Sequence, residues 1–98
     1  MQIEYKNKKL EKLCTNAAYA EKKYSYMMAE KIQQRIGEIT AADSVEDLIL
    51  YQIGGCYKLK GDRKGQYAMN LFQSWRLCFK KKGEQIQIIT IWEIVDYH

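Results

Sequence analysis

Proline is missing altogether from this chain, and histidine occurs only once, at position 98. With no proline, no internal repeat and no low-complexity stretch, nothing marks an inter-domain linker, and residues 1–98 are expected to form a single domain. Cysteine is scarce: Cys14, Cys56 and Cys78 are an odd set with no C-x-x-C pair. That excludes a written disulfide framework or zinc site and points to buried thiols in a reducing compartment; no metal and no cofactor are expected. Long apolar runs are absent too. A run such as Leu48 to Tyr51 falls far short of the ~18 residues a membrane span needs, and MQIEYKNKKLEKL has no apolar core of a signal peptide. A cytoplasmic protein without a membrane partner is the expectation. The G-x-x-x-x-G-K-[ST] spacing is missing, so a triphosphate cradle is not expected.

What is present suits a folded globule, because 47% of residues are hydrophobic and 12% aromatic. The net charge of +4 is too small to argue for a nucleic-acid partner alone. Its distribution says more. Basic residues crowd Lys6 to Lys12, Lys22 to Lys23, Lys58 to Lys64 and Lys80 to Lys82, whereas acids gather at Asp43 to Asp47 and Glu93 to Asp96.

The first half reads as helical after a short strand at Gln2 to Tyr5. Leu10, Leu13, Cys14 and Ala17 share one helix face, and Tyr24, Met28, Ile32, Ile36 and Ile39 predict a second helix over 18–40. Ser44-Val45-Glu46-Asp47 has the form of a capping box and predicts a short helix from Val45 to Tyr51, ended by Gly54-Gly55. From there the period changes to two. Tyr57 and Leu59 alternate with Lys58 and Lys60, Tyr67, Met69 and Leu71 with Ala68 and Asn70, and Trp75, Leu77 and Phe79 with Arg76, Cys78 and Lys80. Lys82-Gly83-Glu84 suggests a hairpin turn, and Gln85 to Val95, apolar on both faces, reads as a central strand. The predicted class is α+β, an N-terminal strand and helices packed on a C-terminal antiparallel sheet with strand one beside the meander.

This alternation predicts that Tyr57, Tyr67, Met69 and Trp75 face the core while Lys58, Lys60 and Arg76 share the solvent-facing side of the sheet. Arg63 and Lys64, in the turn Gly61-Asp62-Arg63-Lys64-Gly65, are expected at its rim. His98 ends the chain after Asp96-Tyr97, just beyond the last strand. Cleavage of RNA by its own 2′-hydroxyl needs a base, an acid for the leaving oxygen, and cations for the charge growing on phosphorus. Histidine titrates near neutrality, arginine can clamp a phosphate through two parallel hydrogen bonds, and Tyr97 offers a ring on which a base can stack.

The residues Leu59-Lys60-Gly61-Asp62-Arg63-Lys64-Gly65, then Trp75-Arg76-Leu77 with Phe79, then Asp96-Tyr97-His98, resemble the HigB-type toxins, or plasmid maintenance system killer proteins, of the RelE and ParE superfamily. The resemblance covers about the last forty residues; the helical half agrees in pattern only. It implies a RelE-like fold and a metal-independent, ribosome-dependent endoribonuclease that cuts messenger RNA in the decoding site, leaving a 2′,3′-cyclic phosphate. It also implies silencing by a helix-turn-helix antitoxin. Carried over, Lys60 and Arg76 hold the scissile phosphate, His98 is the general acid or base, Asp96 and Tyr97 orient histidine and substrate, and Lys58, Arg63 and Lys64 bind RNA. Two positions depart from the family pattern: Tyr57 stands where some relatives have histidine, and Phe72 where a basic residue is frequent.

Two other functions fit the same pattern. A ParE-like poison that binds DNA gyrase without chemistry shares the fold, although a pure binder has no need of a proton-transfer tail. An inactive interaction module would leave association with an antitoxin as the only phenotype.

Overall fold

The structure, a computed structural model, describes residues 1–97. His98, the expected acid or base, lies outside the described residues. Strand β1 (Gln2–Tyr5) leads into helices α1 (Lys8–Thr15), α2 (Ala17–Lys23), α3 (Tyr26–Ala41) and α4 (Val45–Leu50), followed by strands β2 (Tyr57–Lys58), β3 (Gln66–Asn70), β4 (Trp75–Lys82) and β5 (Ile88–Asp96). Each helix starts where a short polar side chain takes up an otherwise orphaned amide. Asn7, Asn16, Ser25 and Ser44 accept from the N–H groups of Leu10, Tyr19, Met28 and Asp47 at 2.9–3.1 Å.

The third of these caps corrects the reading of one helix over 18–40. Ser25 is fully extended, with φ −171°, and its hydroxyl starts a new helix, so Met28, Ile32, Ile36 and Ile39 lie on α3 and Tyr24 caps the end of α2. A stripe of residues four apart shows which face is buried and is blind to a two-residue break at Tyr24 and Ser25. Replacing Ser25 by alanine should lower stability by about 1 kcal/mol, read as a lower denaturant midpoint at unchanged slope.

The sheet has the order β1-β5-β4-β3-β2. The second half is an antiparallel meander, and β1 joins it in parallel beside β5, from Gln2↔Ile88 to Tyr5↔Ile91. The expectation that strand one lies next to the meander holds, and its direction makes the sheet mixed. β4, not β5, is the middle strand. The core lies between one sheet face and the helices, with Leu77, Phe79, Ile89 and Ile91 fully buried against Met28, Ile32, Ile39 and Leu48. Tyr67 stacks on Phe79 with ring centroids 5.5 Å apart, and Trp75 meets the edge of Tyr24 at 5.1 Å. The three cysteines are buried and unbridged, as expected. No helix among the described residues is long and apolar enough to cross a membrane.

Two polar networks tie helices to sheet. Buried Arg35 on α3 donates from Nε to the Asn70 carbonyl at 2.6 Å and from Nη1 to Glu38 at 2.8 Å, fixing the end of β3. Gly54, at φ +60°, lies against this side chain, and a Cβ there would sit 2.7 Å from Arg35 Nε. At the other end of the sheet, Gln87 accepts from the Val45 N–H at 2.9 Å and donates to Glu46 at 2.7 Å, while Lys81 donates to the other Glu46 oxygen at 2.8 Å. The hydrogen bonds from Lys81 and then Gln87 pull the Glu46 carboxyl down to about 2 from 4.5. A carboxyl whose folded value is lowered stabilises the fold above its unfolded value and ceases to do so as pH falls through the folded one. The Glu46→Gln variant is therefore expected to melt below the parent at neutral pH, the gap closing between pH 4.5 and about 2. Solvent keeps the effect small, because the Glu46 side chain is 61% exposed.

Candidate active site

The sheet face turned away from the helices is set by register. Tyr57 pairs with Ala68, Ala68 with Cys78 and Cys78 with Glu93, whereas Lys58 pairs with Tyr67, Tyr67 with Phe79 and Phe79 with Ile91. Paired residues share a face. Tyr57, Cys78 and Glu93 therefore lie on the outer face with Arg76 and Lys80, and Lys58 lies on the helix side of an edge strand. This reverses the predicted phase of β2. Tyr57, expected in the core, is 38% exposed. Lys60, expected on the outer face of a strand, lies beyond β2, which ends at Lys58. With exposed Lys58 and Lys64 it borders a depression of about 470 Å³ at the sheet edge.

β5 carries one residue more than β4 where the pairing passes from Cys78↔Glu93 to Phe79↔Ile91. Trp92 is that extra residue. The bulge lets both Trp92 and Glu93 serve the outer face, a device that commonly re-aims side chains at functional sites.

Around Cys78 the outer face is roofed over. Arg63 folds back from its turn, donating from Nη2 to Glu93 in a short ion pair and to Gln66 at 3.1 Å. Tyr97 is held at its backbone by the Ser74 carbonyl, 3.0 Å from its N–H, while its hydroxyl lies 3.6 Å from Cys78 Sγ. These anchors lay the tyrosine along β4 from Ser74 to Cys78, past Arg76. They account for why Cys78 and Ala68, on the nominally open side, are fully buried. Asp96 pairs with Trp75, and its carboxylate accepts from the Ser74 hydroxyl at 2.5 Å, which ties down the tail.

Arg76 spends Nη1 on the carbonyls of Gln73 and Trp75, at 3.1 and 3.0 Å. Its Nε is buried and has no hydrogen-bond partner among the described residues, and the same is true of Arg63 Nε. Buried N–H groups are nearly always paired, and these two set cationic guanidinium groups with unspent donors side by side on one sheet face.

The protonation states follow from the packing. Burial above all, then the Cys78 contact, pushes the Tyr97 hydroxyl up to about 12. It stays protonated at neutral pH and can donate a hydrogen bond without acting as a base. Burial also pushes the Cys78 thiol up, against the pull of Tyr97 and Arg63, so it is no thiolate nucleophile. The hydrogen bond to Glu93 raises Arg63 further, and its charge is permanent.

The structure thus brings Arg63, Arg76 and Tyr97 to one part of the outer face, places Asp96 opposite Trp75 at the end of β5, where it anchors the tail through Ser74, and leaves Lys58, Lys60 and Lys64 at the sheet edge. Sequence reasoning missed Glu93, Cys78 and Tyr57 as neighbours of the site. Glu93 had a signal: it is the carboxylate interrupting Ile88 to Val95, a strand otherwise nearly free of charge. Tyr57 had none, because two residues are too few to show a period.

No family model matches the sequence, and no curated protein does. Solved structures do match. A YoeB/ParE toxin from Agrobacterium tumefaciens superposes with a TM-score of 0.67 at 15% identity over 100% of both chains. A YoeB in a YoeB–YefM complex from Staphylococcus aureus scores 0.63 at 20% identity, covering 100% of this chain and 97% of the other. A histidine-to-glutamine mutant of YafQ from E. coli scores 0.55 at 14% identity over 97% and 91%. At these identities the likeness is one of fold, and the fold, helices packed on a five-stranded mixed sheet, is that of the RelE/YoeB-like toxins.

Proposed function

We propose that this chain is the toxin of a toxin–antitoxin pair, a HigB-type endoribonuclease that cuts messenger RNA on the ribosome without a metal ion. The observation that carries the reading is the pair of buried, unpartnered Nε–H groups of Arg63 and Arg76 on the outer face, beside a tyrosine held in its neutral form. The fold shared with a YoeB/ParE toxin supports it, and so do the Leu59 to Gly65, Trp75 to Leu77 and Asp96 to His98 motifs.

In the proposed reaction the 2′-oxygen attacks phosphorus as its proton passes to a base. The bond to the 5′-oxygen breaks as an acid protonates it, leaving a 2′,3′-cyclic phosphate and a 5′-hydroxyl. His98 is assigned the proton transfer. Arg76 clamps the non-bridging oxygens as charge grows on them, with Arg63 alongside. Tyr97 donates from its neutral hydroxyl or stacks on a base. Asp96, through Ser74, keeps the tail against β4. Lys58, Lys60 and Lys64, at the sheet edge, hold the RNA backbone; this moves Lys60 away from the scissile phosphate.

Induced expression should arrest growth, and toe-printing on ribosomes should show cleavage that is unaffected by EDTA and absent in His98→Ala. Normal cutting by that variant would dismiss the histidine assignment. The partner is proposed to be an antitoxin, in line with the YoeB–YefM complex among the similar structures; its helix-turn-helix type rests on the resemblance of the motifs alone. Coexpression with the neighbouring gene should copurify the two, and recovery of the free chain alone would count against it. The double name of the A. tumefaciens neighbour keeps a ParE-like reading in play. Gyrase inhibition without RNA cleavage would favour that reading.

A further inference from the structure

Trp92 is the bulge residue of β5, next to Glu93, and two lysines reach its ring from the strands on either side. Lys80 on β4 places Nζ 3.6 Å from the indole centroid, and Lys6, just after β1, places Nζ at 4.4 Å. Neighbouring lysines are engaged by carboxylates: Lys81 by Glu46 and Glu84, Lys82 by Glu4. Lys6 and Lys80 have no ion-pair partner among the described residues. Glu93, the residue after Trp92, is engaged by Arg63. Exposed Lys6 and Lys9 and the half-buried Trp92 border a groove of about 340 Å³ that runs from this ring toward the start of α1.

From this juxtaposition we infer that Trp92, Lys6 and Lys80 form a second nucleic-acid subsite, taking a nucleotide of the single-stranded RNA that flanks the scissile phosphate. The inference rests on the nuclease reading above and extends its site along the outer face. A cation held only by a ring is weakly held, and a phosphate carries a full charge to which both ammonium groups can turn. Their departure uncovers the indole for a base, and an indole accepts every base because each has a π-face. The bulge explains the placement: with Ile91 on the helix side and Glu93 on the outer face, the extra residue lets Trp92 and Glu93 lie side by side on the outer face, the indole between Lys6 and Lys80.

The test uses the full chain and a short, fully 2′-O-methylated RNA, which binds but has no 2′-hydroxyl to react, with affinity measured by anisotropy at several salt concentrations. Lys6→Gln and Lys80→Gln should each weaken binding and flatten the salt dependence by about 0.7 in slope. Trp92→Leu should weaken binding on the order of tenfold. Should the tryptophan variant misfold, the two lysine variants, both surface changes, still decide. Unchanged affinity and slope in all folded variants would overturn the inference, as would equal binding of an acidic peptide of the same charge. Failure of the nuclease reading is separable: an RNA-binding subsite that depends on Trp92 in a chain that cuts nothing would retain this inference and discard that activity.

Discussion

Replacing Arg76 by alanine is expected to lower RNA cleavage on the order of 10²–10³-fold with little change in melting temperature. The magnitude is that of removing one preorganised donor aimed at charge that develops in the transition state. The fold should tolerate the change because Arg76 is only half-buried and gives the rest of the protein two hydrogen bonds, to the backbone carbonyls of Gln73 and Trp75 at the start of β4. Arg76→Lys is expected to recover little, since an ammonium cannot present two parallel donors from a planar fork. Single-turnover cleavage of ribosome-bound messenger RNA, beside thermal melting of each variant, separates a catalytic role from a structural one. A variant that melts early and cuts slowly in proportion would assign Arg76 to the scaffold.

Replacing Phe79 by alanine should have the largest effect on stability, about 3–5 kcal/mol. Phe79 is fully buried on the middle strand and stacked on Tyr67. Its neighbour Cys78 marks the point where the β4–β5 register shifts. A cavity beneath the bulge removes the support on which Trp92 and Glu93 are aimed. Domains of this size have a total stability of about 5–15 kcal/mol, so much of the variant should be unfolded at growth temperature. Urea unfolding would show a lower midpoint, and a loss below 1 kcal/mol would mean that the packing here is looser than described.

Much of the architecture was legible because long periodic segments leave few alternatives. The strand phases of Tyr67 to Met69 and Trp75 to Phe79, the capped helix at Ser44 and the placement of strand one all follow from patterns longer than a turn. The misread places are short or irregular. Tyr57 and Lys58 are the whole of β2, and pairing with Ala68 and Tyr67 sets their face, which local sequence cannot encode. The break at Ser25 leaves the apolar stripe intact, so periodicity does not see it. In the site, Arg76 was found by alternation, whereas the inward fold of Arg63 depends on Glu93 thirty residues later. That contact exists because of a bulge that no period predicts. The outer face was expected to carry Lys58, Lys60 and Arg76; it carries Arg76 with Arg63, Tyr97, Glu93 and Lys80, while Lys58 and Lys60 lie at the sheet edge.

The central claim is that this outer face breaks RNA by attack of the 2′-hydroxyl. Its most direct test is the chemistry of the ends left on a ribosome-bound message after incubation with the purified chain. A 2′,3′-cyclic phosphate upstream and a 5′-hydroxyl downstream, both absent with Arg76→Ala, are predicted. An intact message in a preparation that still arrests growth, or a 5′-phosphate at the cut, would contradict it.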